Sequence, residues 1–448
     1  RRQCYFAMAV FLFIALHSLI NYHHLYMQNF KRLVLKNGLR LILVPRKEAL
    51  ATTVSVSVEA GSKYETKEIN GLSHFLEHMC FKGTTNRPKQ IDIVSELDSL
   101  GAQYNAMTGM ETTSYYAKAK KDSFDKILEI VADMYLNPIF PAEEIEKEKG
   151  VIIGEINMYE DLPQRRVQEF FMELLYGDQP AGWSIAGRKE VIERLNREDF
   201  IKYRAKHYLP PSTVLIIAGG FEPSEAVKKV KMYFDKMPAG VKGAKPKVRE
   251  EQKQPQELVS FKETDQTHVV LGFRAFGIFD ERKYALDLLA DILGGSMSSR
   301  LFQKVRDEMG AGYYVNASTD FYNDHGIIAM SAGIHHEKVE PVIKAALAEF
   351  RRLKDEKIGN DELKRGKDHL TGNLFLAVET SDELGSFYGS QEIMGLPLQT
   401  PEEIADKIQK VTAEEIQAVA KDLFLEEQLN LALIGPFRDK SFSDILKV

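Results

Sequence analysis

Residues 71–84, GLSHFLEHMCFKGT, set His74, Glu77 and His78 in an H-x-x-E-H spacing. His74 and His78 are four positions apart, so on a helix they project from one face, a turn from each other. Two neutral imidazoles held in that way are a ready pair of ligands for one zinc ion. Glu77 falls between them and slightly aside, where a carboxylate can act on a water at the metal without ligating the metal itself. Phe75, Leu76 and Met79 supply apolar surface for such a helix, and Gly71 and Gly83 bracket it. A pattern with three fixed positions in five arises by chance often enough that the zinc reading needs a third ligand.

Downstream, residues 141–163 read PAEEIEKEKGVIIGEINMYEDLP, a charged stretch with helical periodicity in which Ile145, Val151, Ile152, Ile156 and Tyr159 are expected to face a core. Glu148 and Glu155 are seven apart, two helical turns, and share one face. Glu155 is the candidate third ligand, and Glu148 a partner that orients it or a histidine. On their own, two glutamates of a charged helix are equally well read as solvated carboxylates.

The 448 residues exceed one ordinary core, so two domains are expected. A hydrophobic fraction of 44% and a charged fraction of 28% are those of a globular chain. The net charge of −6 gives no basic stripe for nucleic acid. Two cysteines, Cys4 and Cys80, leave no disulfide framework and no cysteine-based metal site. Cys80 reads as a small buried apolar residue, with a reactive thiol as the alternative.

Residues 1–26 differ from the rest. Arg1 and Arg2 precede an apolar run, Tyr5 to Leu16, shorter than the roughly 20 residues of a spanning helix. The extension is either an export or anchor segment or upstream sequence that is not native, since Met27 opens a stretch that reads as a usual N-terminus. A cytoplasmic location is expected if the extension is not native. A membrane association follows only if residues 5–20 act as an anchor.

The body is duplicated. Residues 27–239 form one half, 240–256 (GVKGAKPKVREEQKQPQ) a linker without apolar periodicity, and 257–448 the second half. GLSHFLEH aligns with LDLLADILGG, LGAQYNA with MGAGYYVNA, and EEIEKEKGVIIGE with DELKRGKDHLTGN. In that register Asp287 and Asp291 replace His74 and His78, and Asn373 replaces Glu155, so the second half has no zinc site of its own. Strands rich in Val, Ile and Thr precede long helical stretches in each half, an α+β pattern. The histidines beyond the motif are read as surface or satisfied core residues, and the pair His335-His336 as hydrogen-bonded to a helix terminus.

H-x-x-E-H followed downstream by two glutamates seven apart resembles the pitrilysin, insulin-degrading enzyme and mitochondrial processing peptidase family, whose motif is the inverted H-E-x-x-H of the inverzincins. The matching residues are His74, Glu77, His78, Glu148 and Glu155. The resemblance extends over 35–65, 100–119, 176–221 and 298–318, and covers nearly everything from about residue 30 onward. It implies two like-folded α+β domains, each a mainly antiparallel sheet with helices on one face. It also implies a zinc endopeptidase with one Zn2+ per chain, held by His74, His78 and Glu155, in which Glu77 is the general base. The strand holding Asn105 and Ala106 would bind substrate through its main chain. Arg306 and a tyrosine seven residues later, Tyr313, would approach the zinc site and meet the substrate or the developing oxyanion, with Tyr314 leaving that assignment open by one position. Two copies would close as a clamshell homodimer on a peptide or unfolded polypeptide. The alternative is a non-catalytic or partner-dependent subunit of a heterodimer. Gln179-Pro180 stands where relatives often carry His-Pro after YGD.

Overall fold

The computed structural model describes residues 30–448, so the extension 1–26 lies outside the described residues. Among those described, no helix is long and apolar enough to cross a membrane.

The first half builds a six-stranded sheet from β1 (Lys31–Val34), β2 (Arg40–Pro45), β3 (Ala51–Val58), β4 (Gln103–Thr108), β5 (Thr113–Lys120) and β6 (Thr213–Gly219), in the order β1-β2-β6-β3-β5-β4. All neighbours are antiparallel except β2 and β6. The second half builds a five-stranded sheet from β7 (Gln256–Phe261), β8 (Thr267–Ala275), β9 (Gly312–Phe321), β10 (Gly326–Ile334) and β11 (Asn430–Gly435), in the order β7-β11-β8-β10-β9. Here β7 and β11 form the parallel pair. Leaving β1 aside, the two orders are the same, and β4 and β9 occupy equivalent free edges.

Several strands read as continuous apolar runs, RLILVP, TVLIIAG and LALIG, because they are buried on both faces. In the first sheet Leu41, Leu43, Leu215 and Ile217 point into the half's own core, against Leu72, Phe75 and Leu76 of helix α1 (Leu72–Met79) and Ile127, Leu128 and Val131 of α2 (Phe124–Leu136). The alternate residues Ile42, Val44, Val214, Ile216 and Ala218 face the other way. What covers them comes from the second half.

The chain continues through α3 (Ala142–Asp161), α4 (Pro163–Tyr176), α5 (Lys283–Ala290), α6 (Val339–Asp355), α7 (Asn360–Leu376) and α8 (Ser381–Met394). Leu384, Tyr388 and Ile393 of α8 pack on the outer face of the first sheet. Reciprocally, Val167, Phe171 and Leu175 of α4 pack on Val270, Ile327, Ala329, Ala432 and Ile434 of the second sheet, whose inner face lies on α5 and α6. Each sheet thus carries its own helices on one face and one helix lent by the other half on the other.

The halves are also tied by charge. Lys63 is 1% exposed, and its Nζ lies 2.9 Å from Glu111 and 2.6 Å from Asp324 of the second half. The segment 240–256 has no helix or strand before β7, yet it is anchored: Lys245 pairs with Glu111, and the Val248 N–H donates to Asp324. One expectation for α3 fails. Ile145, Glu148, Ile152 and Ile156 form its buried stripe, while Val151, a third of a turn aside, is exposed.

Candidate metal centre

Helix α1 begins at Gly71, whose φ of +99° suits glycine; a Cβ there would stand 2.7 Å from the Ala186 carbonyl. The cap comes from upstream: the buried Glu65 carboxylate accepts from the Gly71 N–H at 2.8 Å and the Ser73 N–H at 2.6 Å. Burial pushes this carboxyl up to about 7, against the pull of those bonds. The turn so fixed carries His74.

Helix α3 packs against α1 and brings its glutamates to the two histidines. Nε2 of His74 and Nε2 of His78 stand 3.6 Å and 3.7 Å from the same Glu155 oxygen, Oε2. Ligands about 2.1 Å from one zinc stand roughly 3.4 Å apart at tetrahedral angles, so the three atoms fit a common ion. Among the described residues they form the one group of three or more potential ligands within 4.8 Å of one another. Burial, with the His78 ring next to it, pushes His74 down to about 4 and keeps it neutral, the form in which a histidine ligates.

The partners of these atoms are specific. His78 Nδ1 lies 2.9 Å from Glu148 Oε1, so a proton shared there leaves Nε2 with its lone pair toward Glu155. Lys82 Nζ holds the other Glu148 oxygen at 2.6 Å. Burial raises the Glu148 carboxyl, but the His78 ring and the Lys82 ammonium outweigh it and leave the group below the usual range. Tyr159 donates its hydroxyl to Glu155 Oε1, and the Arg165 guanidinium stacks 3.2 Å from the Tyr159 ring. Glu77 is half-buried beside the cluster, and burial raises its carboxyl above the ordinary value.

Glu148 thus supports a histidine, one of its two expected roles. Lys82, Tyr159 and Thr108, which contacts Glu77, were missed by sequence reasoning. Tyr159 and Lys82 lie four residues after Glu155 and His78, a spacing that could have flagged them. Asn105 and Ala106 lie on the free-edge strand β4, where Asn105 is exposed and its side-chain oxygen accepts from the Ala106 N–H. Cys80 is fully buried against Tyr115, and burial pushes its thiol up to about 11.

Arg306 and Tyr313 belong to the second half. Arg306 stands exposed on a π-helical turn, its guanidinium 5.0 Å from the Phe302 ring. Tyr313, on the edge strand β9, is 77% exposed, and neither residue makes a side-chain hydrogen bond or ion pair among the described residues. Tyr314 points the other way: its hydroxyl lies 3.1 Å from His268, and burial pushes it up to about 12. Of the adjacent pair, Tyr313 is the one with a free phenol.

Where the first half groups His74, His78 and Glu155, the second pairs Asp291 with His369 at 2.7 Å, and Asn373 lies 3.1 Å from the same ring. Two histidine readings need correction. Of the pair His335-His336, the His335 carbonyl does accept from the Lys338 N–H at 2.9 Å at the start of a short 3-10 turn, but the His336 ring instead bridges Thr267 and the Thr264 carbonyl beside β8. His207 and His325 are core residues but not satisfied ones: each has a buried ring nitrogen without a partner among the described residues, His207 between two tyrosine rings and His325 stacked on Tyr322.

The chain matches two family profiles in succession. The one described as "Insulinase (Peptidase family M16)" spans residues 41–189, and the one described as "Peptidase M16 inactive domain" spans 194–370. The uncharacterized zinc protease YmxG of Bacillus subtilis is 34% identical over 406 residues, 91% of this chain and 98% of its own. An uncharacterized zinc protease of Rickettsia felis is 35% identical over 419 residues, with the same coverage of each chain. Among solved structures, a protease from Helicobacter pylori superposes with a TM-score of 0.85 at 22% identity, over 91% of this chain and 99% of that one. A peptidase M16 inactive domain from Pseudomonas fluorescens gives 0.84 at 19% identity, over 92% and 100%. At such identities the structural likeness speaks for the fold alone.

Proposed function

The chain belongs to the insulinase family of M16 peptidases, and from that premise we propose that it is a zinc-dependent endopeptidase acting on peptides or unfolded polypeptide segments. The observation that carries the proposal is the convergence of His74 Nε2, His78 Nε2 and Glu155 Oε2 on one point, with the Glu77 carboxylate alongside. Zinc held by His74, His78 and Glu155 would supply a Lewis acid that lowers the pKa of the attacking water.

The chain's own residues do the rest. Glu148, fixed by Lys82, sets the His78 ring. Tyr159 holds one Glu155 oxygen and leaves the other for the metal. Glu77, whose burial favours the protonated form, takes a proton from the attacking water and returns it to the leaving amine. Beside it, β4, the strand of Asn105 and Ala106, offers its free edge to an extended peptide, a mode that gives affinity with little side-chain selectivity. Arg306 and Tyr313 are assigned to the substrate and the oxyanion, supplied by a second copy of the chain in a homodimer.

The test is incubation of the purified protein with a mixed peptide library, with and without a chelator, read by mass spectrometry. Cleavage is expected, is lost with the chelator and returns with zinc. Glu77→Gln keeps its zinc and loses nearly all turnover, because an amide cannot accept the proton. Wild-type rates in that variant would place the base elsewhere.

A further inference from the structure

We propose that Thr108 is a positioning residue for the general base, an inference that rests on the peptidase reading above. Thr108 closes β4, the free-edge strand, and its hydroxyl donates to Glu77 Oε2 at 2.5 Å. Among the described residues it is the sole side-chain hydrogen-bond partner of that carboxylate. The terminal torsion of a glutamate is broad, so a carboxylate without such a partner samples many planes. Tying Oε2 to the strand fixes the plane and leaves Oε1 as the free oxygen for the water's proton. The base is thereby built against the strand that receives the peptide.

The second half has a comparable contact without the chemistry. β4 ends in Asn105-Ala106-Met107-Thr108, and β9 contains Asn316-Ala317-Ser318-Thr319. Thr319 donates to Asp287 of α5 at 2.5 Å, as Thr108 does to Glu77 of α1. Asp287 stands in the register of His74, one turn before the position equivalent to Glu77, so the second half makes a comparable threonine–carboxylate contact at a different place on its helix. In the first half the clamped carboxylate is the base, so the contact there fixes a reacting group as well as a helix.

That comparison supplies the control. Thr108→Val keeps the shape and removes the hydroxyl. It is expected to lower kcat about 10- to 100-fold with KM and zinc content unchanged, while Thr108→Ser restores kcat. Thr319→Val removes the comparable contact of the second half; it is expected to lower the melting temperature as Thr108→Val does and to leave kcat intact. The proposal is overturned if Thr108→Val turns over like wild type, or if Thr108→Ser is as slow as Thr108→Val, which would make the methyl group the cause. It is equally overturned if Thr319→Val slows the enzyme as much, or if the loss in Thr108→Val lies in KM or zinc content. A zinc-loaded wild type that cleaves nothing sinks the peptidase reading and this inference together, whereas an active wild type beside an unimpaired Thr108→Val sinks this one alone.

Discussion

Glu148 and Glu155 lie on the same face of one helix and end with opposite duties. Glu155 presents Oε2 to both histidines and has Oε1 tied by Tyr159, so one oxygen is free for a metal. Both Glu148 oxygens are taken, one by His78 Nδ1 and one by Lys82. A ligand that is lost removes a bond to the ion, whereas a lost support only loosens the ring it orients. Glu155→Ala is therefore expected to weaken zinc binding more than Glu148→Ala, and the latter by about 10- to 100-fold. Competition against a chromophoric chelator measures both, and the reverse order would mean that the ligand has been placed two turns wrong.

Individual elements were legible from the chain, whereas their partners across the molecule were not. The helix of His74 and His78 could be read because an i, i+4 spacing needs nothing beyond the helix itself. Glu155 needed the family resemblance, since helical spacing alone could not separate it from a solvated carboxylate. Thr108 lies 31 residues from Glu77 and meets it only once the sheet is assembled. Likewise α4 shows an apolar face, but nothing in its sequence says that the receiving sheet belongs to the other half, and α8 does not even segregate its apolar residues to one face. The packing explains one feature of α8 that composition leaves unexplained, its buried Gly385 and Gly389. A Cβ on Gly385 would stand 2.7 Å from the Ala218 Cβ, and one on Gly389 would stand 2.8 Å from Ile216. Gly385→Val is expected to cost about 1–3 kcal/mol by overpacking, which exceeds what leaving a helical glycine returns. A lowered melting temperature with full zinc content checks it; an unchanged one would show that α8 can move off the sheet freely.

At the scale of the whole chain, the lent helices and the buried Lys63 pairings bind the halves into one body. That body holds the candidate metal ligands in one half and the exposed Arg306 and Tyr313 in the other, with no side-chain hydrogen bond or ion pair of theirs among the described residues. A phenol that stabilises an oxyanion has to lie within hydrogen-bond reach of it, so in the role proposed for it an exposed Tyr313 would need a partner surface, which a second copy with two-fold symmetry would provide twice over. Glu77→Gln chains and Tyr313→Phe chains are each expected to be inactive alone. In a mixed dimer one site combines Glu77 of one chain with Tyr313 of the other and is whole, while its twin carries both lesions. Random exchange should then return roughly a quarter of wild-type activity. If subunits exchange, as followed by native mass spectrometry, and activity stays at the level of the separate variants, then Tyr313 acts within its own chain or takes no part in the reaction.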